Sequence, residues 1–183
     1  QSELRSYRRN VQVVFQDPYR SLNPRRTVGQ SIVEGPMNFG TSHEAALERA
    51  RDLMEIVGLS PHALDRFPHQ FSGGQRQRIC IARALAMEPK VLIADEAVSA
   101  LDVSVQAQVL KLLDDVRKRF DLAMLFITHD LRVAAQICDR IMVMQQGEVV
   151  EQGATASVYA KPAHPYTKLL LDAAPGRDSF AAG

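Results

Sequence analysis

Apolar residues in this chain follow two spacings. Val11, Val13, Val14 and Phe15 form a short β-rich run that stops at Asp17 and Pro18, because proline offers no N–H to a sheet and restricts its predecessor. The uncharged runs Val91–Leu92–Ile93–Ala94 and 123–127 end abruptly at Asp95–Glu96 and at Thr128–His129–Asp130. Such runs predict strands buried on both faces, as in a parallel sheet. Elsewhere the apolar residues recur every three or four positions. Leu47, Ala50, Met54 and Val57 share one face of a helix that Thr41 and Glu44 open as a capping box near His43 and Gly58 closes. A second helix runs from Gln75 to about Met87 and is ended by Pro89. Val109, Leu112, Leu113, Val116 and Phe120 mark a third, and Leu131, Ala134, Ala135 and Cys138 a fourth. Ile141 to Met144 and Val149–Val150 flank Gln146–Gly147 as a hairpin. Residues 18–40, rich in Pro, Gly, Asn and Ser, read as loop or broken structure, and the tail after Gly176 as frayed. Alternating strands and helices predict an α/β fold with a mainly parallel sheet.

Composition narrows the class. With 183 residues, 46% hydrophobic and 23% charged, the chain has the make-up of one globular domain with a sizeable core, not of a disordered or fibrous protein. A formal charge of +1 argues against a wholly basic nucleic-acid binder. Cys80 and Cys138 are too few for a disulfide scaffold and lack zinc-like pairing, and His43, His62 and His69 are not at ligand spacing. No apolar run approaches ~18 residues, and no apolar signal region follows the charged N-terminus, so a reduced cytoplasmic setting is the simplest reading.

The chemistry gathers at the strand ends. In open α/β sheets, ligands sit beyond the carboxyl ends of the strands. Gln16, Asp95–Glu96 and His129 follow the three predicted strands. Of two adjacent carboxylates, one can hold Mg²⁺ through water and the other can polarise an attacking water. Gln16 could orient that water or join the metal's shell, and His129 could donate to a phosphate oxygen. Each could equally be a loop residue with local hydrogen bonds. Ser72–Gly73–Gly74–Gln75 opens the second helix. Its glycines admit a ligand close to the backbone and its N–H groups favour an anion. Ser72 also makes a good N-cap, which needs no ligand.

Taken in order, Phe15–Gln16–Asp17–Pro18, Phe71–Ser72–Gly73–Gly74–Gln75–Arg76–Gln77–Arg78, Val91 to Glu96, Ser99–Ala100–Leu101–Asp102 and Ile127–Thr128–His129–Asp130 resemble the Q-loop, signature motif, Walker B strand, D-loop and H-loop of ABC transporter nucleotide-binding subunits. Residues 15–25 and His164–Pro165–Tyr166–Thr167 resemble the dipeptide, oligopeptide and nickel importers among them. The resemblance implies a P-loop NTPase (RecA-like) fold. Residues 1–18 and 89–160 would be core, 19–88 an inserted helical subdomain that receives the transporter's coupling helix, and 161–183 a C-terminal tail.

It also implies roles. Asp95 would support Mg²⁺, with Gln16 sensing the metal and the γ-phosphate of ATP. Glu96 would be the general base, and His129 would contact the γ-phosphate. Ser72, Gly73, Gly74 and Gln75 would form the signature that meets ATP on a second ABC subunit, with Asp102 working across the same interface. Further partners would be transmembrane permease subunits and, indirectly, a solute-binding protein, at the cytoplasmic face of the inner or plasma membrane and without nucleic acid.

Two departures stand out. The phosphate loop GxxxxGK[ST] is absent. Gly35 and Gly40 have its glycine spacing, but Thr41 stands where lysine is required, between the Q-loop and the signature. The chain thus reads as an N-terminally truncated ABC domain, expected to bind ATP weakly or not at all by itself and to leave an incomplete sheet with exposed apolar surface. Ala97 stands where the family usually has proline, which relaxes φ there and should affect the placement of Glu96 modestly. The alternative to an energy-coupling ATPase is a non-catalytic module that donates its signature face to an intact partner. A DNA- or ribosome-directed ABC ATPase fits least, for lack of long insertions.

Overall fold

The computed structural model describes residues 2–173, which form two compact units divided between Ile127 and Thr128. The first unit opens with helix α1 (Ser2–Asn10) and strand β1 (Val11–Val14). Helices α2 (Pro18–Ser21), α3 (Val28–Asn38) and α4 (His43–Ile56) follow, then 3-10 turns at Pro61–Asp65 and Pro68–Gln70 and helix α5 (Gly73–Leu85). Strand β2 (Val91–Asp95), helix α6 (Val103–Arg119) and strand β3 (Ala123–Ile127) complete it.

Local chemistry sets these boundaries. Asp17 accepts from the N–H groups of Tyr19 and Arg20 and places Pro18 at the first position of α2, where its missing N–H is harmless. Thr27 and Gln30 form a reciprocal capping box on α3. Residues 18–40, expected as loop, therefore hold two helices, because their prolines and polar residues sit at helix starts and ends. Ser42 caps α4 in place of Thr41, accepting from Ala45 N–H at 3.3 Å. Gly58 stops that helix with φ +72°, a conformation that favours glycine. Helix α5 begins at Gly73, two residues before the expected start.

Helices α3, α4 and α5 pack on one another around Ile32, Leu53, Met54, Ile79 and Ile81, none more than 1% exposed. The sheet is parallel, in the order β1-β2-β3. Its register pairs Val14 with Ala94 and Ala94 with Phe126 on one face, and Ile93 with Leu125 and Asp95 with Ile127 on the other. Val14, Leu92 and Ala94 are buried, whereas Leu125 and Ile127 are 42% and 44% exposed. Burial of β2 and β3 on both faces is thus corrected. One face is covered, and the other opens progressively toward β3.

In the second unit, helix α7 (Leu131–Ile137) leads into an antiparallel hairpin of β4 (Arg140–Gln145) and β5 (Glu148–Ala154), as the pattern predicts. Gln146 and Gly147 turn it with φ +52° and +86°. Helices α8 (Thr155–Ala160) and α9 (Pro165–Ala173) close the unit. Glu151 of β5 accepts from the N–H groups of Ala163 and His164 at 2.8 and 3.0 Å, tying the start of α9 to the hairpin. These bonds hold the Glu151 carboxyl below its ordinary range. The tail expected to fray lies outside the described residues.

Candidate functional site

The parallel register sets the carboxyl ends of β1 and β2 level, since Val14 lies beside Ala94. Gln16 and the Asp95–Glu96 pair therefore emerge at one edge of the sheet. Gln16 is exposed, and both carboxylates are half-buried. Hard oxygen donors of this kind suit Mg²⁺, which binds through one or two carboxylates and keeps several waters. Among the described residues, no three His, Cys, Asp or Glu side chains cluster as a metal cage.

Glu96 adopts φ +48°, the left-handed region that non-glycine residues enter at some strain. Several bonds hold it there. Its N–H donates to Ile127 O at 2.9 Å, and its own carbonyl accepts from Ser99 N–H at 3.1 Å and from the Ser99 hydroxyl at 3.0 Å. The same hydroxyl stands 3.5 Å from the Glu96 carboxylate. Nothing in the sequence marks this conformation. Ala97, beside it, is buried.

At the start of α5, Ser72 Oγ accepts from Gln75 N–H, and the Gln75 side chain accepts from Ser72 N–H, at 3.3 and 3.0 Å. Both side chains thus act as a capping box. The first helical N–H groups, those of Gly73 and Gly74, have no acceptor within the helix. The two glycines differ. A Cβ on Gly74 would lie 2.3 Å from Val105 Cγ1, so Gly74 is required by the contact between α5 and α6. At Gly73 the nearest neighbour would be Leu101 Cδ2 at 4.0 Å, so that side stays open. Asp102 caps α6, accepting from Val105 N–H at 3.0 Å and from the Ser104 hydroxyl at 2.8 Å. These bonds, the backbone one foremost, hold its carboxyl below the ordinary range.

His129 belongs to the second unit, where it is exposed immediately before the α7 cap. That cap, Asp130, accepts from Arg132 N–H and is paired with the Arg132 guanidinium, which keeps its carboxyl ionised to lower pH than usual. Sequence reasoning missed a cleft of about 540 Å³ beside the Gln16 segment. It is lined by residues 19–24 with Ser31, Glu34 and Arg83, and its only signal was the run of turn-forming residues. Among the described residues, no helix is long and apolar enough to cross a membrane.

The sequence profile described as ABC transporter matches residues 1–99. A Brucella ovis protein named as a peptide import ATP-binding protein is 52% identical over 181 residues, covering 98% of this chain and 57% of that protein. The glutathione import ATP-binding protein GsiA of Salmonella typhi is 52% identical over 177 residues, covering 96% of this chain and 28% of that protein. Among solved structures, cbiO1 from Clostridium perfringens, described as part of the ABC transporter complex cbiONQ, superposes with a TM-score of 0.79 at 32% identity. That match covers 88% of this chain and 63% of cbiO1. The chain thus spans little more than half of the Brucella relative and under a third of the Salmonella one. With the profile spanning more than half of its residues and the same α/β core in a solved relative, this chain belongs to the ABC transporter family.

Proposed function

We propose that this chain forms part of the ATP-binding, ATP-hydrolysing subunit that powers an importer for di- or oligopeptides. The observation that carries the reading is the common edge at which Gln16, Asp95 and Glu96 emerge from adjacent parallel strands. The peptide and glutathione import named for the relatives supports the substrate class.

Asp95 and Gln16 would hold Mg²⁺, through its waters, and the ion would neutralise phosphate charge. Glu96 takes the proton of the attacking water, and its bonded left-handed turn fixes where its carboxylate points. His129 donates to a γ-phosphate oxygen. The N–H groups of Gly73 and Gly74 meet the phosphate of ATP held by a second ABC subunit, and Asp102 stands at the same interface. Positioning and charge stabilisation do most of the work in such a transfer. The permease's coupling helix docks on the helical subdomain, residues 19–88, at the cytoplasmic membrane face, with a solute-binding protein upstream in transport. The cleft lined in part by residues 19–24 supports that reading.

The lysine-bearing phosphate loop is not among these residues. Its loop donors and lysine make charge-assisted contacts, so this chain alone should bind ATP weakly or not at all. Calorimetric titration with Mg-ATP tests that, and micromolar binding would refute it. The catalytic reading is tested by Glu96→Gln in the full-length protein. Hydrolysis should be lost while Mg-ATP binding persists, and full hydrolysis by that variant overturns the assignment.

A further inference from the structure

The segment that carries Gln16 is held by the helix that carries the signature. Three side chains of α5 reach it. Gln77, 1% exposed, donates through Nε2 to the Phe15 carbonyl at 3.3 Å. Arg76, 7% exposed, lays its guanidinium 3.5 Å from the centre of the Tyr19 ring and donates to the Tyr19 hydroxyl. Arg83, seven residues beyond Arg76 and so on the same helix face, donates to the Ser21 carbonyl.

The Gln77 bond has a particular consequence. The peptide unit is planar, so holding the Phe15 carbonyl fixes the plane that also contains the Gln16 N–H. On the other side, Asp17 is committed to capping α2 and Pro18 is buried. Gln16 therefore stands between a pinned peptide plane and a capped turn, and its own dihedrals carry the remaining freedom. The far end of the Gln77 amide, Oε1, is buried with no hydrogen-bond partner. An apolar side chain of equal size would fill the space without that unmet acceptor. The amide is suited to holding the loop, not to filling the core.

We propose that Gln77 is a positioning residue for Gln16, and that Arg76 and Arg83 complete the grip. This rests on the reading that Gln16 acts at the nucleotide. Gln77→Leu keeps the volume and removes the donor. In this chain it should raise hydrogen exchange in residues 15–22 and leave α3 and α4 unchanged. In the full-length protein it should lower kcat about ten- to a hundredfold, the scale of a misplacement of about 1 Å, with KM unchanged.

Should Gln77→Leu fail to fold, Tyr19→Ala releases Arg76 from a side chain that is 63% exposed. It should raise the same exchange, and Tyr19→Phe, which keeps the ring face, should restore most of the protection. Unchanged exchange in residues 15–22 overturns the grip. Raised exchange with normal kcat, while Gln16→Ala is inactive, overturns the positioning role. Normal hydrolysis in Gln16→Ala overturns the functional reading, and the proposal falls with it.

Discussion

The helices of the first unit and its sheet meet water differently. Helices α3, α4 and α5 close a core in which Ile32, Leu53 and Ile79 are at most 1% exposed. The sheet buries one face and leaves Leu125 and Ile127 open on the other. Apolar burial is the dominant stabilising term, so these buried side chains contribute more stability than the exposed ones of β3. The open face of β3 contributes little in this chain. A helical block that also packs on β1 and α6 through α5 therefore stands beside a sheet with one open face.

The comparison can be broken at four places. Leu53→Ala should cost about 2–5 kcal/mol in a urea melt, whereas Leu125→Ala at its 42% exposed site should stay within about 0.5 kcal/mol. Equal losses would mean that the open face is covered in solution. Next, Gly74→Ala forces a methyl onto Val105 and should cost about 1–3 kcal/mol, while Gly73→Ala has room and should be near neutral by the same melt. A nucleotide-binding defect confined to Gly73→Ala would mark that glycine as the one facing ligand.

Third, Ser72→Ala removes the α5 cap and should lower stability by about 1 kcal/mol, read from the shift of the denaturation midpoint. The smallest effect concerns acid. The folded-state pKa of Glu151 is depressed, so its stabilising bonds to α9 are complete above the ordinary carboxylate value of about 4.3. They fade as pH falls through the lowered folded value. Protease protection of residues 161–173 should drop in that window and be insensitive to it in Glu151→Gln.

Much of this was legible because it is local. Strand β2 with Asp95–Glu96, the Ser72 cap and the Gln146–Gly147 hairpin follow from residue types within a few positions of one another. Helix α1 was not legible. Apart from Leu4 and Tyr7, 54% and 61% exposed, its residues are charged or polar, and it is tied down instead by Arg5, which donates to Asn38 O at 3.0 Å and lies 5.2 Å from the centre of the Phe39 ring. Helix α3 was hidden by Gly29, Gly35 and Pro36, which read as breakers. The two glycines are there for close approach to Leu64 and Met87, and Pro36 falls in the last turn. The run of β3 does not by itself tell whether one face or both are covered. Exposed apolar surface on the sheet was expected only from the absent phosphate loop, and Leu125 and Ile127 are where it lies. The level ends that carry Gln16 and Asp95–Glu96 follow from the strand boundaries, whereas His129, expected to converge with them, belongs to the second unit, and the ties from α5 to residues 15–21 depend on tertiary packing.

The left-handed turn at Glu96 sets thermal endurance against chemistry. A glycine there would sit without strain. Glu96→Gly should therefore yield a chain that withstands heat at least as well as the parent yet has surrendered its proton acceptor. Screens that reward robustness alone would drift toward that substitution.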